Sequence, residues 1–287
     1  MQKRDVVWIA LLLLFGMLIG WCIMECGKDE KCILMAGSVA METFAEAITE
    51  VITEGMAEKS GEVGMTVKAE FIGSSAGIEA LLKGKAQIAM VSRYLTEEEK
   101  SRGVEEHLVA YDGIVIIVNA ENTIEKLSKE QLCSIFTGKI KNWRELGGEN
   151  EPIIVIGREY GSGTRDSFEK LLGIEGRTKH SNECDSIGVV NVKVGLLRGA
   201  IGYVSLEVLG KEASRVKEIA VEGVRPDIES IGKGDYFLVR PFILATYEMG
   251  NGQNEAVRKI FELLESKQGD IIFEKAGVVA VAENKDQ

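Results

Sequence analysis

An arginine closely followed by a Gly-Ser-Gly-Thr turn can hold an anion. Here Arg158 precedes Gly161-Ser162-Gly163-Thr164, between the apolar run Ile153–Ile156 and an amphipathic stretch. Two further turns, Gly37-Ser38 and Gly73-Ser74-Ser75, also follow apolar runs and precede helical patterns. The first turn of a helix leaves backbone N–H groups unpaired and carries partial positive charge. Glycine admits a ligand close to the backbone, and Ser and Thr hydroxyls add donors. Three such helix starts, if they converge, make a cage of neutral donors suited to a small oxyanion. Arg158 would supply one full charge and a forked pair of N–H groups. Any one of these turns alone is more often a plain helix cap; three of them with an adjacent arginine favour a site.

The elements that must position these turns follow from periodicity. Short apolar runs predict strands at Cys32–Ala36, Thr66–Ile72, Gln87–Val91, Gly113–Asn119, Ile153–Ile156, Gly199–Ser205 and Phe237–Ala245. Helical spacing links Phe44, Ile48, Val51 and Ile52, and a short helix is predicted at Ile78–Leu82. A polar helix starts at Thr96, with Glu97, Glu98 and Glu99 forming a solvated first turn, and Ser128 with Gln131 makes a capping box for the next. Helices follow at Thr164–Leu172, Glu255–Ser266 and Asp270–Ala276. Strands alternating with helices predict an α/β architecture with mainly parallel sheets. Ligands in such sheets sit beyond the carboxyl ends of strands, at helix N-termini, which is where the three turns lie.

The 287 residues, 45% hydrophobic and 28% charged, suffice for one or two compact domains, and no repeat or low-complexity tract interrupts them. A net charge of −11 argues against a general attraction to nucleic acid or an anionic membrane. A bound anion must therefore be held by local geometry. Residues 1–26 form a separate unit: Lys3 and Arg4 precede Val6–Met24, which carries no charge and is long enough to span a bilayer core. The basic residues keep the N-terminus cytoplasmic, which places the body on the extracytoplasmic face of the cell membrane. Two fates fit, a retained anchor or an export signal cleaved near Cys22 or Cys26. Cys22 is the candidate lipid-attachment residue, although Trp21 directly before it fits a lipoprotein signal poorly. A Cys133–Cys184 disulfide is open, with small buried thiols the plainer reading, and no Cys or His spacing suggests a metal site. No cofactor is expected.

The text "IIVIGREYGSGTR", preceded by "LSKEQLCSIFTGKIKNWRELGG", resembles the phosphate-binding proteins of bacterial phosphate ABC transporters. The resemblance continues through "FIGSSAGIEALLKGKAQIAMVSR", "YDGIVIIVN", "GAIGYVS", "VRPFILATY" and "GDIIFEKAGVV", and so covers nearly everything from Ile33 to Ala282. It implies a two-lobed periplasmic-binding-protein fold of type II, a Venus flytrap, with a central mixed, mainly parallel sheet in each lobe. Lobe one is expected at 32–112 plus 243–287 and lobe two at 113–242. It implies a monomer that captures inorganic phosphate in the cleft and hands it to ABC permease subunits, with no enzymatic activity. Carried over by position, Arg158, Ser162, Gly163 and Thr164 match the second-lobe ligands, and Ser74 matches the first-lobe serine.

The first turn departs from the family, which usually reads Gly-Ser-Thr-Ser. Here it is Gly37-Ser38-Val39-Ala40, so the Val39 and Ala40 amides stand where two hydroxyls would be. Each missing hydrogen bond to a charged ligand costs about 1.5–3 kcal/mol, roughly tenfold or more in affinity. Ser92 falls where many members place an aspartate that accepts the phosphate proton, and Ser92-Arg93 resembles relatives with a Ser-Arg pair. A carboxylate acceptor favours protonated phosphate over sulfate; Ser92 accepts without repelling. Asp112, beside the expected lobe crossing, is a candidate carboxylate, with a simple turn residue before Gly113 as the alternative. Two rivals remain. A tethered binding or sensor protein for sulfate or arsenate keeps the fold. A serine hydrolase would use Ser75 in Gly73-Ser74-Ser75-Ala76-Gly77 as a nucleophile elbow, with only His107 or His180 available as base. Trp143 is expected to pack the second lobe, and Arg93 and Arg165 either support the cleft or form surface ion pairs.

Overall fold

The computed structural model describes residues 32–57, 65–209, 215–247 and 255–281. The N-terminal segment expected to meet the membrane, with Cys22, lies outside them. Among the described residues no helix is long and apolar enough to cross a membrane.

The chain begins with β1 (Cys32–Gly37), a 3-10 turn (Val39–Met41), α1 (Glu42–Ala57), β2 (Thr66–Glu70), α2 (Ser74–Leu82), β3 (Ile88–Val91) and α3 (Glu97–Ser101). The long β4 (Val104–Asn119) leads to β5 (Lys126–Leu127), α4 (Lys129–Phe136), β6 (Ile154–Arg158), α5 (Gly163–Leu172), β7 (Asn182–Cys184) and α6 (Ile187–Leu196). Then come β8 (Ala200–Ser205), α7 (Leu206–Leu209), β9 (Val216–Glu218), β10 (Ala220–Val221) and α8 (Ile228–Gly232). The return strand β11 (Val239–Tyr247) is followed by α9 (Glu255–Leu264), α10 (Lys267–Ala276) and β12 (Val279–Ala280).

The main sheet runs β2-β1-β3-β11-β4-β8-β6-β7, with β9 and β12 also paired to β4. Its flanks are parallel, β1 with β2 and β3, and β6 with β7 and β8. Its centre is antiparallel, because β4 and β11 run opposite ways. From Val104 to Gly113, β4 pairs with β11; from Ile114 to Val118 it pairs with β8. One strand thus serves both halves of a two-lobed, mixed α/β fold, with the crossover at Gly113–Ile114.

Alternation along β4 divides the core. Val115 and Ile117 face a cluster shared with Ile33, Met35, Phe44, Phe242 and Val190, covered by α1, α6, α9 and α10. Ile114, Ile116 and Val118 face the opposite side, onto Phe136, Phe168 and Tyr203 under α4 and α5. Trp143 is buried there and donates from Nε1 to the Gly199 carbonyl at 3.0 Å, packing the second lobe as expected. A third cluster joins α2 to β3 and β11 through Ile78, Leu81, Val91 and Ile243.

Two local differences from the sequence expectations, and one helix for which the sequence carried no expectation, have physical causes. The helix expected from Ile78 begins at Ser74, so the serines lie in its first turn. Val104–Asp112 extends β4 because β11 supplies the pairing, with Glu105 exposed and Asp112 buried against Arg240. The β-branched stretch around Val189, Val190 and Val192 forms α6, capped by Ser186 and held by burial of Ile187, Val190 and Val194. Tertiary packing there overrides propensity.

Candidate anion-binding cleft

Three turns of the first lobe are stitched to one another by main-chain bonds. Ser38 N donates to Met90 O and Gly73 N to Gly37 O, each at 2.8 Å. Gly37 has φ +150°, and a Cβ there would lie 2.1 Å from Met90 O, so no other residue fits this approach. The result gathers three buried hydroxyls. Ser38 Oγ lies 2.8 Å from Ser92 Oγ, and Ser92 N donates to Ser74 Oγ at 3.2 Å. Ser38 Oγ also accepts from Ala40 N at 3.2 Å, so the Ala40 amide serves the turn itself; Val39 is half-buried beside it.

The second lobe meets this cluster with the start of α5. Ser162 is its N-cap, with Oγ accepting from Arg165 N at 3.4 Å. A Cβ on Gly163 would fall 2.2 Å from Ser74 Oγ and 2.6 Å from Ser92 Oγ. Only a glycine lets this helix start close onto the serines. Ser75 N donates to Gly161 O at 3.3 Å, and Ser167 Oγ to Ser92 O at 2.9 Å. The structure therefore brings Ser38, Ser74, Ser92 and Gly163 together directly, with Ser162 and Thr164 on either side of Gly163.

Arg158 ends β6 and is almost wholly buried, its backbone N–H donating to Tyr203 Oη at 3.2 Å. Nε and Nη2 bond the Glu159 carboxylate and the carbonyls of Cys184 and Asp185. Nη1 is buried without a hydrogen-bond partner among the described residues. A buried guanidinium N–H is costly to leave unpaired, and this one marks where an acceptor belongs.

Asp112 is not a turn residue. It lies within β4 opposite Arg240 of β11, and its Oδ2 accepts from Arg240 Nε at 2.8 Å and Nη2 at 2.6 Å. Arg240 also donates to Thr164 Oγ1 and Ser205 Oγ, all of these side chains being fully buried. Burial pushes the Asp112 carboxyl up, against the pull of the Arg240 guanidinium. Ser205 and the Leu206 amide add to that pull, yet Asp112 Oδ1 completes no hydrogen bond. Sequence reasoning missed Arg240. The signal was a charge inside the apolar "VRPFILATY", a position that demands a buried partner.

Arg93 supports the cleft rather than forming a surface pair. It forks onto Glu99 with two bonds of 2.8 Å, reaches Asp166 of α5 at 3.0 Å and touches Ser75 Oγ at 3.3 Å. Burial pushes the Glu99 carboxyl up, but Arg93 and the Thr96 amide outweigh this and hold it below its ordinary value. Glu99 is thus a buried partner, which corrects the expectation of a solvated helix start. Arg165 pairs with Glu169 and Glu183 and donates to Arg158 O at 3.0 Å, bracing the strand end.

The hydrolase alternative lacks its base. His107 bonds Thr246 Oγ1 at 2.9 Å and packs on Phe261, while His180 covers Gly157 and approaches Glu183. Neither is hydrogen-bonded to Ser75. Cys133 and Cys184 are both free thiols, so the bridge between them does not form. A cavity of about 420 Å³ opens elsewhere between the lobes, lined by Glu42, Glu46 and Glu207. Its carboxylates repel anions.

Hydroxyls gathered at the start of α5, between two α/β lobes joined by shared strands, fit a solute-binding protein for an anion. A family model described as a PBP superfamily domain matches residues 27–260. The phosphate-binding protein PstS of Bacillus subtilis is 30% identical over 211 residues, covering 73% of this chain and 68% of that protein. PstS of Borreliella burgdorferi is 29% identical over 218 residues, 73% and 77% of the two chains. Among solved structures, a candidate phosphate ABC transporter substrate-binding protein from Clostridium perfringens, with bound phosphate, matches with a TM-score of 0.80 and 33% identity. It covers 88% of this chain and 100% of that one. An ABC-type phosphate transport receptor from Vibrio cholerae matches with a TM-score of 0.70 and 32% identity, covering 86% and 99%. The chain belongs to the PBP superfamily and, within it, to the family of PstS phosphate-binding proteins.

Proposed function

We propose that this chain captures inorganic phosphate between its lobes and delivers it to the permease of an ABC transporter, acting as a binding protein and not an enzyme. The observation that carries this is the meeting of Ser74 and Ser92, the latter bonded to Ser38, with Gly163, together with a buried Arg158 whose Nη1 has no partner among the described residues. Lobe one, taken as 32–112 plus 243–287, would contribute Ser38, the Val39 amide, Ser74 and Ser92, with the Ala40 amide held by Ser38 Oγ. Lobe two, 113–242, would contribute Arg158, Ser162, Gly163 and Thr164. Ligand stabilises the closed form because only that form offers both sets of donors. Asp112, held to Arg240 through Oδ2, would serve the ligand through that guanidinium rather than by touching it. The family membership and the apolar N-terminal segment support a monomer tethered on the extracytoplasmic face, through Cys22 or an uncleaved helix.

One feature favours weighing a second oxyanion. The hydroxyl cluster is bonded to hydroxyls and amides, with no carboxylate in direct contact with Ser38, Ser74 or Ser92 among the described bonds. Such a cage discriminates less against sulfate. Calorimetric titration of ligand-stripped protein with phosphate, arsenate and sulfate tests both readings: tight phosphate binding with weak sulfate binding supports the first, and the reverse order supports the second.

A further inference from the structure

We propose that Arg240 is a positioning residue for the bound oxyanion: from the return strand it orients the Thr164 hydroxyl as a donor into the cleft. This rests on the assignment of Thr164 to the phosphate site.

A guanidinium has five N–H donors and no acceptor. Its bond to Thr164 Oγ1 therefore uses an oxygen lone pair and leaves the single hydroxyl hydrogen to be given elsewhere. Thr164 sits in the first turn of α5, directly after Gly163, whose Cα closes on Ser74 and Ser92. Without Arg240 the hydroxyl could turn and accept, presenting a lone pair to an anion. With Arg240 on one lone pair, the hydroxyl hydrogen is turned away from the guanidinium and is free to be given to the anion. Asp112 in turn holds Arg240 through Oδ2 and largely neutralises it, so the device orients a dipole without adding net charge. The chain of bonds runs carboxylate, guanidinium, hydroxyl, anion, each link polarising the next. Stability alone does not call for such an arrangement, since well-packed apolar residues often replace a buried ion pair without loss. All three side chains are at most 1% exposed.

The test is a thermodynamic cycle on the full chain, read as phosphate dissociation constants, with thermal melts confirming that each variant folds. Asp112→Asn with Arg240→Met removes both charges together, and Thr164→Val removes the hydroxyl. Each is expected to weaken phosphate binding by about tenfold to a hundredfold. Combined, the three substitutions should weaken it no more than Thr164→Val alone, within about threefold. If the neutral pair disturbs folding, Arg240→Lys serves instead, because an ammonium keeps the charge but not the fork. Its loss should vanish in the Thr164→Val background and persist with Thr164→Ser. Losses that multiply, or an unchanged constant in the Arg240 variants, overturn the proposal. An unchanged constant in Thr164→Val removes Thr164 from the site, and the proposal with it. A wild-type chain that binds no phosphate refutes the underlying reading, which is a distinct result.

Discussion

At Arg158 the guanidinium is committed through Nε and Nη2: Glu159 and two carbonyls fix its plane, and Nη1 is left over. Arg158→Met should therefore weaken phosphate binding by about a hundredfold or more, measured calorimetrically, since a charged hydrogen bond in a buried site is lost. At Gly163 the constraint is space. Gly163→Ala places a methyl into Ser74 Oγ and Ser92 Oγ, so it should hold the lobes apart and cut affinity at least tenfold, while the melting temperature changes little. Titration adds a pH signature. Burial holds both His107 and His180 below the ordinary imidazole pKa, because it disfavours the charged ring. The unfolded chain then binds more protons than the folded one between those lowered values and about 6.5. Stability should be flat above that window and fall as pH drops through it, as denaturant melts from pH 7.5 to 5 would register. Replacing His180 by Gln should flatten part of the slope. At this scale the sequence exposed what is local. Ser162, Gly163 and Arg158 lie within one turn and declare themselves, whereas Arg240 and Ser205 join the site only through tertiary contact.

Elements set the geometry that residues exploit. Ser162 caps α5 and also lies at the cleft, so Ser162→Ala should cost about 1 kcal/mol in unfolding free energy through the lost cap and lower affinity as well. The bond from Arg93 to Asp166 links the loop after β3 to α5 across the lobes. Asp166 is partly exposed, and Asp166→Asn should lower phosphate affinity only about two- to fivefold, chiefly by faster release in stopped-flow measurements. Strands and capped helices were legible because periodicity and caps are local signals. No element was expected over Ile187–Leu196, where β-branched valines carry low helix propensity and packing against β4 and β8 makes α6. The polar half of β4 escaped notice for a similar reason: its partner β11 lies more than a hundred residues away.

Across the whole molecule, closure and binding are the same event seen twice. The lobes share β4, and the return strand β11 carries Arg240 into the second-lobe half of the site. Contacts at Ser75–Gly161, Ser92–Ser167, Thr43–Glu207 and Arg93–Asp166 hold the described conformation shut. The α/β class, the two lobes and a lobe boundary at 112/113 could be read from alternation and resemblance; strand register shows where β4 changes partner, from β11 to β8 after Gly113. The central claim is that the gathered serines, the α5 start and Arg158 enclose one phosphate. Its most direct test is calorimetric titration of ligand-stripped wild-type protein and Arg158→Met with phosphate. Saturable one-to-one binding by the wild type, with the variant at least a hundredfold weaker but equally folded, is the predicted result. Equal phosphate affinity in the two proteins, or no binding by either, would contradict it.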